Sequence, residues 1–564
     1  MLIYIISQSP GQANARGGGS VNRMKGARMG RAGRADARRP DGREPGVGRA
    51  GAGWSGAGRA SAGWLGAGRS GTAVALWRAA ALLVCLCLLL AGCSPSQRQI
   101  EKDLKGRALT GYTLTASLDP EAMTLTCTLD VDYVNPAGQA LGEVLFHLYP
   151  NAFSEESWAP FASWERDMAY PEGFSPGGIR IERLAVDGQA VDPAISGAQR
   201  DLLTVALPAP LDVGGRARIE MDYRVTIPRC EGRFGYGENT VNLTNCYPVA
   251  CVWEDGAFDL DGYAAVGDPF YSDLANYQAV LSMPASYQAA FTGMAAAEEL
   301  VGDRRVYTVS APGVRDFAWI ASPNFLTRSA RVDGVQITSY TVSGEGSAAL
   351  DAAKAALRAY NRRFGRYPYP TYSVVACDFY IGGMEYPNLV MIDQSLYHQE
   401  RAETLEFVVA HETAHQWWYQ MVGNDEVAEP WLDESLTNYS ALLYYLDTQG
   451  PEAFEAAYEK FVGQPAIDGR AINLPVSGYS DLFEYNDRVY NAGSALWRRW
   501  HALVGEEAFN RAMSAYFQAG YLKNASYEDL LAALESATGQ DWRAWFDREL
   551  AGGDDGAAAT SGGI

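Results

Sequence analysis

The chain has 564 residues, 48% of them hydrophobic and 20% charged, which excludes a chain disordered throughout and leaves room for two or more domains with cores of their own. The net charge of −21 is unevenly spread: residues 1–70 hold 12 Lys and Arg against three acids, so the remainder carries 34 basic and 64 acidic residues, a net of −30. A surface that acidic repels phosphate backbones, and nucleic acid is excluded as a partner of the folded part.

From Gly11 to Gly71 the chain is rich in Gly, Ala and Arg and nearly free of aliphatic residues, so residues 1–73 read as a disordered segment, with the true translation start expected downstream of it. Residues 74–93 read as a secretory signal: Arg78 is a positive flank, Ala79–Leu90 is an unbroken apolar run, and Leu90-Ala91-Gly92-Cys93 closes it. That ending resembles a bacterial lipobox, in which Cys93 becomes the lipidated first residue; the alternative is a weak transmembrane anchor, although the run is short for one. Either reading puts the bulk of the protein outside the cytoplasm, and the first makes it a lipoprotein anchored to the bacterial cell membrane. Residues 94–107 then read as a linker.

Between about Tyr112 and Leu326 apolar and polar side chains alternate, as in Leu125-Thr-Cys-Thr-Leu-Asp-Val-Asp-Tyr133, between Gly, Pro and Asp turns, which predicts an antiparallel all-β domain over 108–335. From Ala348 the period becomes helical (Leu350, Ala353, Leu357, Tyr360), an apolar strand follows at Tyr372–Tyr380, and helices dominate to about 551. The tail 552–564 is small and polar and is expected to be disordered. Beyond the signal there are five cysteines; a disulfide is plausible among Cys230, Cys246 and Cys251, and Cys377 reads as an inert buried thiol.

The chemistry concentrates in Phe407-Val-Val-Ala-His411-Glu412-Thr-Ala-His415, within an apolar helical stretch expected to run to a stop at Gly423. Residues four apart share a helix face, so both imidazoles can reach one zinc ion, and Glu412 can take a proton from a water beside it. A second helix predicted from Pro430 carries Glu434, whose distance from His415 lets the first helix end and the chain turn back with a third ligand. Two His and one Glu leave a coordination position open, the mark of a catalytic zinc, one per chain. His147, His398 and His501 stand apart from any ligand spacing and read as structural.

His411-Glu-x-x-His415 followed by Glu434 resembles the aminopeptidase N family of gluzincin metallopeptidases. Gly382-Gly383-Met384-Glu385 resembles the family's Gly-x-Met-Glu-Asn strand, with Tyr386 in place of the Asn, and Tyr490-Asn-Ala-Gly493 its Tyr-x-Lys-Gly element, with Ala492 in place of the Lys. Arg315-Asp-Phe-Ala-Trp319 and Phe146-His-Leu-Tyr-Pro-Asn151 are further similar segments. The resemblance implies a thermolysin-like α+β, mostly helical catalytic domain over 336–551 and zinc-dependent cleavage of peptides at a free N-terminus. It also implies that Gly382, Gly383 and Met384 lie along the substrate, that Glu385 binds its α-ammonium, and that Tyr490 stabilises the oxyanion. The chain has no room after Leu550 for the long helical domain that covers the site in larger members, so an open cleft is expected. The alternatives are an endopeptidase or epoxide hydrolase with the same zinc chemistry, and a non-catalytic peptide-binding relative.

Overall fold

The computed structural model describes residues 95–344, 346–465 and 468–553. The expectations for residues 1–73, for the signal with Cys93 and for the tail beyond 553 lie outside them. Among the described residues no helix is long and apolar enough to cross a membrane.

The N-terminal part is β-rich. Its largest sheet has eight strands, with Thr110–Asp119, Thr124–Val134 and Arg216–Thr226 side by side and Ala275–Pro284 and Arg304–Val314 beyond the first. The alternation read in the sequence is the alternation of burial: Leu125, Cys127, Leu129, Val131 and Tyr133 all face the core. One pair departs from the antiparallel expectation. Thr110–Asp119 runs parallel to Ala275–Pro284, and the long crossover that a parallel pair needs contains all of one further four-stranded sheet and two strands of another. The latter, built from Phe234–Tyr236, Val241–Thr244, Ala318–Ser322 and Gln288–Phe291, is almost wholly buried and backs onto the catalytic half. Its Asn242 donates to the Asp378 carbonyl at 2.9 Å.

The second part opens with a five-stranded mixed sheet in the order Leu326–Val332, Val335–Thr341, Thr371–Cys377, Leu389–Asp393, Gly383–Tyr386. The domain boundary expected at 335/336 therefore falls inside a hairpin. Asp333 and Gly334, with φ of 51° and 89°, form its two-residue turn, and the pairing of Val335–Thr341 with Thr371–Cys377 assigns both strands to the second sheet. Alternation alone could not say which sheet a strand joins. Gly383–Tyr386 is left at the edge, paired on one side only, with Leu389–Asp393.

Helices cover this sheet. Ser347–Arg363 packs on Ala402–Ala414, and the buried Tyr360 hydroxyl ties that helix to the next by donating to the carbonyls of Ala410 (2.9 Å) and Ser440 (3.2 Å). Pro430–Gln449 is buried along Pro430–Tyr445, so it is the central rod of the catalytic half. Gly493–Val504, Glu506–Gly520, Tyr527–Thr538 and Arg543–Leu550 complete it.

Two more expectations are corrected. Residues 94–107 are not a linker: Pro95–Asp103 is a helix whose Ile100 is fully buried, and Arg107 donates to the Leu522 carbonyl at 2.6 Å. Ile100 and Leu104, four apart, supply the apolar face that docks it. No disulfide forms among Cys230, Cys246 and Cys251; the five described cysteines are all free and buried, each behaving as a small apolar side chain.

Candidate active site

The helix Ala402–Ala414 places His411 in its last turn and His415 at its cap. It stops well short of the expected Gly423, because the chain turns back through Tyr419, a non-glycine residue at φ 132°. Such a conformation persists only when its surroundings over-determine it. Here Arg315 donates from Nε to the Tyr419 carbonyl at 2.6 Å, the Tyr419 hydroxyl donates to Asp316, and the Tyr419 N–H donates to the Val422 carbonyl at 2.8 Å. Gly423 is glycine because a Cβ there would stand 2.0 Å from the Arg315 guanidinium carbon. The Arg315-Asp316 pair noted in the sequence is thus a clamp on the turn behind the metal helix.

His411, His415 and Glu434 converge. The two Nε2 atoms are 3.1 Å apart, and Glu434 Oε2 is 3.2 Å from the first and 3.4 Å from the second. Ligands bound at 2.0–2.1 Å around a tetrahedral zinc stand about 3.3 Å from one another, so the triad fits that ion. Glu434 Oε2 is buried and accepts no hydrogen bond, an orphan whose partner is a cation. Burial drives the His411 imidazole down to about 4, so it is neutral at pH 7 and offers a lone pair. Burial opposes ionisation of Glu434, but His415 and His411 outweigh it and hold its carboxyl well below the usual range.

Asp433, fully buried beside Glu434, orients the second imidazole. Its Oδ1 lies 2.8 Å from His415 Nδ1, with the Trp418 carbonyl at 3.0 Å. Nδ1–H donates there, which leaves Nε2 bare for the metal. Burial alone would lower the His415 pKa; Asp433 ahead of Glu385 and Glu434 raises it well above normal.

Glu412 follows His411 and turns its carboxylate over the triad. It is buried, Oε2 has no partner, and burial lifts its carboxyl to about 8. Gly383 explains how it fits: a Cβ at that position would be 2.0 Å from Glu412 Oε1. The glycine pair therefore has two separate causes, since Gly382 is required by its φ of 107°.

Glu385 lies on the same edge strand, buried, with Oε1 unpartnered; burial and then Asp268 push its carboxyl well above the usual range. Met384 Sδ receives Arg233 Nε at 2.9 Å. Tyr490, in the π-helical turn Asn486–Ala492, donates its hydroxyl to Glu434 Oε1 and stacks on His411 with ring centroids 5.8 Å apart. Gly383, Glu385, His411, Glu412, Glu434 and Tyr490 thus line one cavity, with His415 completing the triad, whereas the expected substrate residues Gly382 and Met384 are not among its lining.

Sequence reasoning missed Asp433, Arg233 and Asp268. The first stood in plain view beside Glu434. The others come from the β-rich part, where nothing local distinguishes them, and form a buried ion pair at 2.6 Å. Burial lifts the Asp268 carboxyl to about 6 against the pull of Arg233. Arg233, Asp268 and Ile381 join Gly383, Glu385, His411, Glu412, Glu434 and Tyr490 in lining one cavity.

Residues 348–548 match the model of the Peptidase family M1 domain. Aminopeptidase M1-A of rice is 29% identical over 227 residues, 37% of this chain and 26% of that protein, and aminopeptidase N of Lactococcus lactis is 29% identical over 245 residues, 40% and 28% of the two chains. The chain thus spans under a third of the length of the curated relatives it matches. Among solved structures, the M1 zinc metallopeptidase of Deinococcus radiodurans superposes with a TM-score of 0.57 at 18% identity, over 79% of this chain and 94% of that one. A point mutant of that metallopeptidase bound to a Tyr-Ser-Ala substrate gives 0.57 at 17% identity, with the same coverage. That likeness extends the shared fold, a β-rich part followed by a helical catalytic region, to most of this chain. Residues 348–548 are therefore a peptidase family M1 domain of the aminopeptidase N, gluzincin type.

Proposed function

We propose that the protein is a zinc-dependent aminopeptidase that removes the N-terminal residue of peptides. The observation that carries this is the set of buried carboxylates around the triad. Asp268, Glu385, Glu412 and Glu434 line the cavity against one guanidinium, that of Arg233. One divalent cation and one ammonium group restore neutrality, and a free peptide N-terminus is the ammonium that belongs in such a site. An endopeptidase gains nothing from Glu385, which would meet an N-terminally extended substrate with unpaired charge.

Zinc at His411, His415 and Glu434 would polarise the scissile carbonyl and make a bound water acidic. The edge strand Gly383–Tyr386 offers its free backbone to the substrate, which adds as a further strand. Glu385 and Asp268 hold the α-ammonium and so register the first peptide bond against Glu412. Glu412 takes the proton of the attacking water and returns it to the departing amine. Tyr490 turns its hydroxyl from Glu434 to the oxyanion as charge develops there. The relatives support this reading: proteins named aminopeptidase M1 and aminopeptidase N share the domain, and one solved neighbour holds a tripeptide.

The test compares an aminoacyl p-nitroanilide with its N-acetylated form, with and without chelator. Turnover of the free amine alone, lost to chelator and restored by zinc, is expected; equal cleavage of the blocked substrate refutes the exopeptidase reading. We further propose that the protein is exported and anchored through Cys93, a reading supported by the Leu90-Ala91-Gly92-Cys93 ending. Metabolic labelling with an alkyne fatty acid, abolished by Cys93→Ala, is the expected result, and unlabelled wild-type protein refutes it.

A further inference from the structure

Behind the triad lies a carboxyl group that the mechanism does not use. Glu426 is buried, 3% exposed, in the turn before Pro430–Gln449, and one of its oxygens stands within 4.8 Å of an oxygen of Glu385 and of one of Asp433. The other acids each have a cation. Asp433 has His415 at 2.8 Å, Asp268 has Arg233 at 2.6 Å, Glu434 has the metal, and Glu385 has the substrate's ammonium on the reading proposed above. Among the described residues no Lys, Arg or His pairs with Glu426. Glu385 Oε1 and Asp433 Oδ2, meanwhile, are buried acceptors with no hydrogen bond.

Three ionised carboxylates this close in a dry interior repel one another strongly, and a single proton removes most of that repulsion while giving the orphaned acceptors a donor. We propose that Glu426 works as a neutral carboxylic acid, donating its O–H into the space between Glu385 and Asp433, directly or across one water, and so positions both. One arm steadies the carboxylate that meets the substrate's ammonium. The other steadies the brace of His415. Burial, followed by the charges of Asp433 and Glu385, pushes the Glu426 carboxyl well above the usual range, in the same direction. The Glu385 arm rests on the aminopeptidase reading; the Asp433 arm rests on the metal triad alone.

Two variants separate the neutral from the ionised form. Glu426→Gln keeps the shape and a donor but no charge, and Glu426→Met keeps the length without a donor. In the full-length protein, Glu426→Gln is expected to match wild type in zinc affinity, measured against a competing chelator, and in KM for alanine p-nitroanilide. Glu426→Met is expected to weaken zinc binding and raise KM, each about tenfold, with a smaller change in kcat. A Gln variant as impaired as the Met variant overturns the proposal, and so does a Met variant indistinguishable from wild type. Infrared difference spectra at neutral pH decide should Glu426→Met fail to fold. Wild type minus Glu426→Gln must show the carbonyl stretch of an un-ionised acid, and a carboxylate band in its place refutes a neutral Glu426. Should wild type leave every aminoacyl substrate intact, the aminopeptidase reading falls, while zinc affinity and the infrared band still judge Glu426.

Discussion

Gly383→Ala is a one-carbon perturbation aimed at the general base. The added Cβ would stand 2.0 Å from Glu412 Oε1, 2.5 Å from Cδ and 2.8 Å from Cγ, where 3.4 Å is the near limit of ordinary contact. The carboxylate or the edge strand must therefore give way by 1.4 Å, the difference between those two distances. Misplacing a catalytic group by 1 Å can cost about 10²-fold, so kcat should fall about 100-fold or more. The zinc ligands lie on other segments, so metal content and affinity should stay at the wild-type level. The assay is kcat on an aminoacyl anilide beside metal analysis and thermal unfolding of the same preparation. Near-normal kcat in a folded, zinc-loaded Gly383→Ala protein would refute the placement of Glu412. Loss of zinc would refute the separation of the two functions.

Glu412→Gln should lower turnover by about 10²–10⁴-fold with zinc still bound, and normal turnover removes Glu412 from its role. Tyr490→Phe should reduce kcat by about 10²–10³-fold with little change in KM; an effect on KM alone would make it a packing residue. Asp433→Ala should weaken zinc binding by about 10–100-fold, read by chelator competition, and unchanged affinity refutes the brace on His415. His147 is buried in the β-rich part, where desolvation lowers its pKa from 6.5 to about 4. The unfolded chain binds this proton first, so the contribution is fully present above pH 6.5 and is lost as pH falls towards 4, on the order of 3 kcal/mol. His147→Phe should flatten that part of the stability–pH curve, and an unchanged slope refutes the assignment.

The metal triad was legible because it rests on rules that act within one helix and its neighbour. Four-residue spacing brings His411 and His415 to one face, and Pro430 marks where the helix carrying Glu434 begins. The purpose of Gly383 was not legible, because the atom that forbids a side chain there belongs to Glu412 on a separate helix. Arg233 and Asp268 were invisible for the same reason: each is an ordinary charged residue in a β sequence until the fold carries it over the triad. The alternation read to about Leu326 did not reveal that the next two strands, Leu326–Val332 and Val335–Thr341, belong to the second sheet. The clustered cysteines suggested a covalent link, where the thiols prove to be separate packing elements of the core.

The clamp on Tyr419 means that the two halves are one machine rather than a catalytic module with an attachment. The loop following the second imidazole is pinned by residues 315 and 316, from upstream of the five-stranded sheet. A fragment beginning at that sheet would keep all three ligands in its sequence yet lose the pins and two residues of the cavity wall, Arg233 and Asp268. Excising the peptidase half for engineering or crystallisation would thus produce a relaxed loop and a solvent-flooded pocket, whereas grafting new specificity is better attempted from the β-rich side.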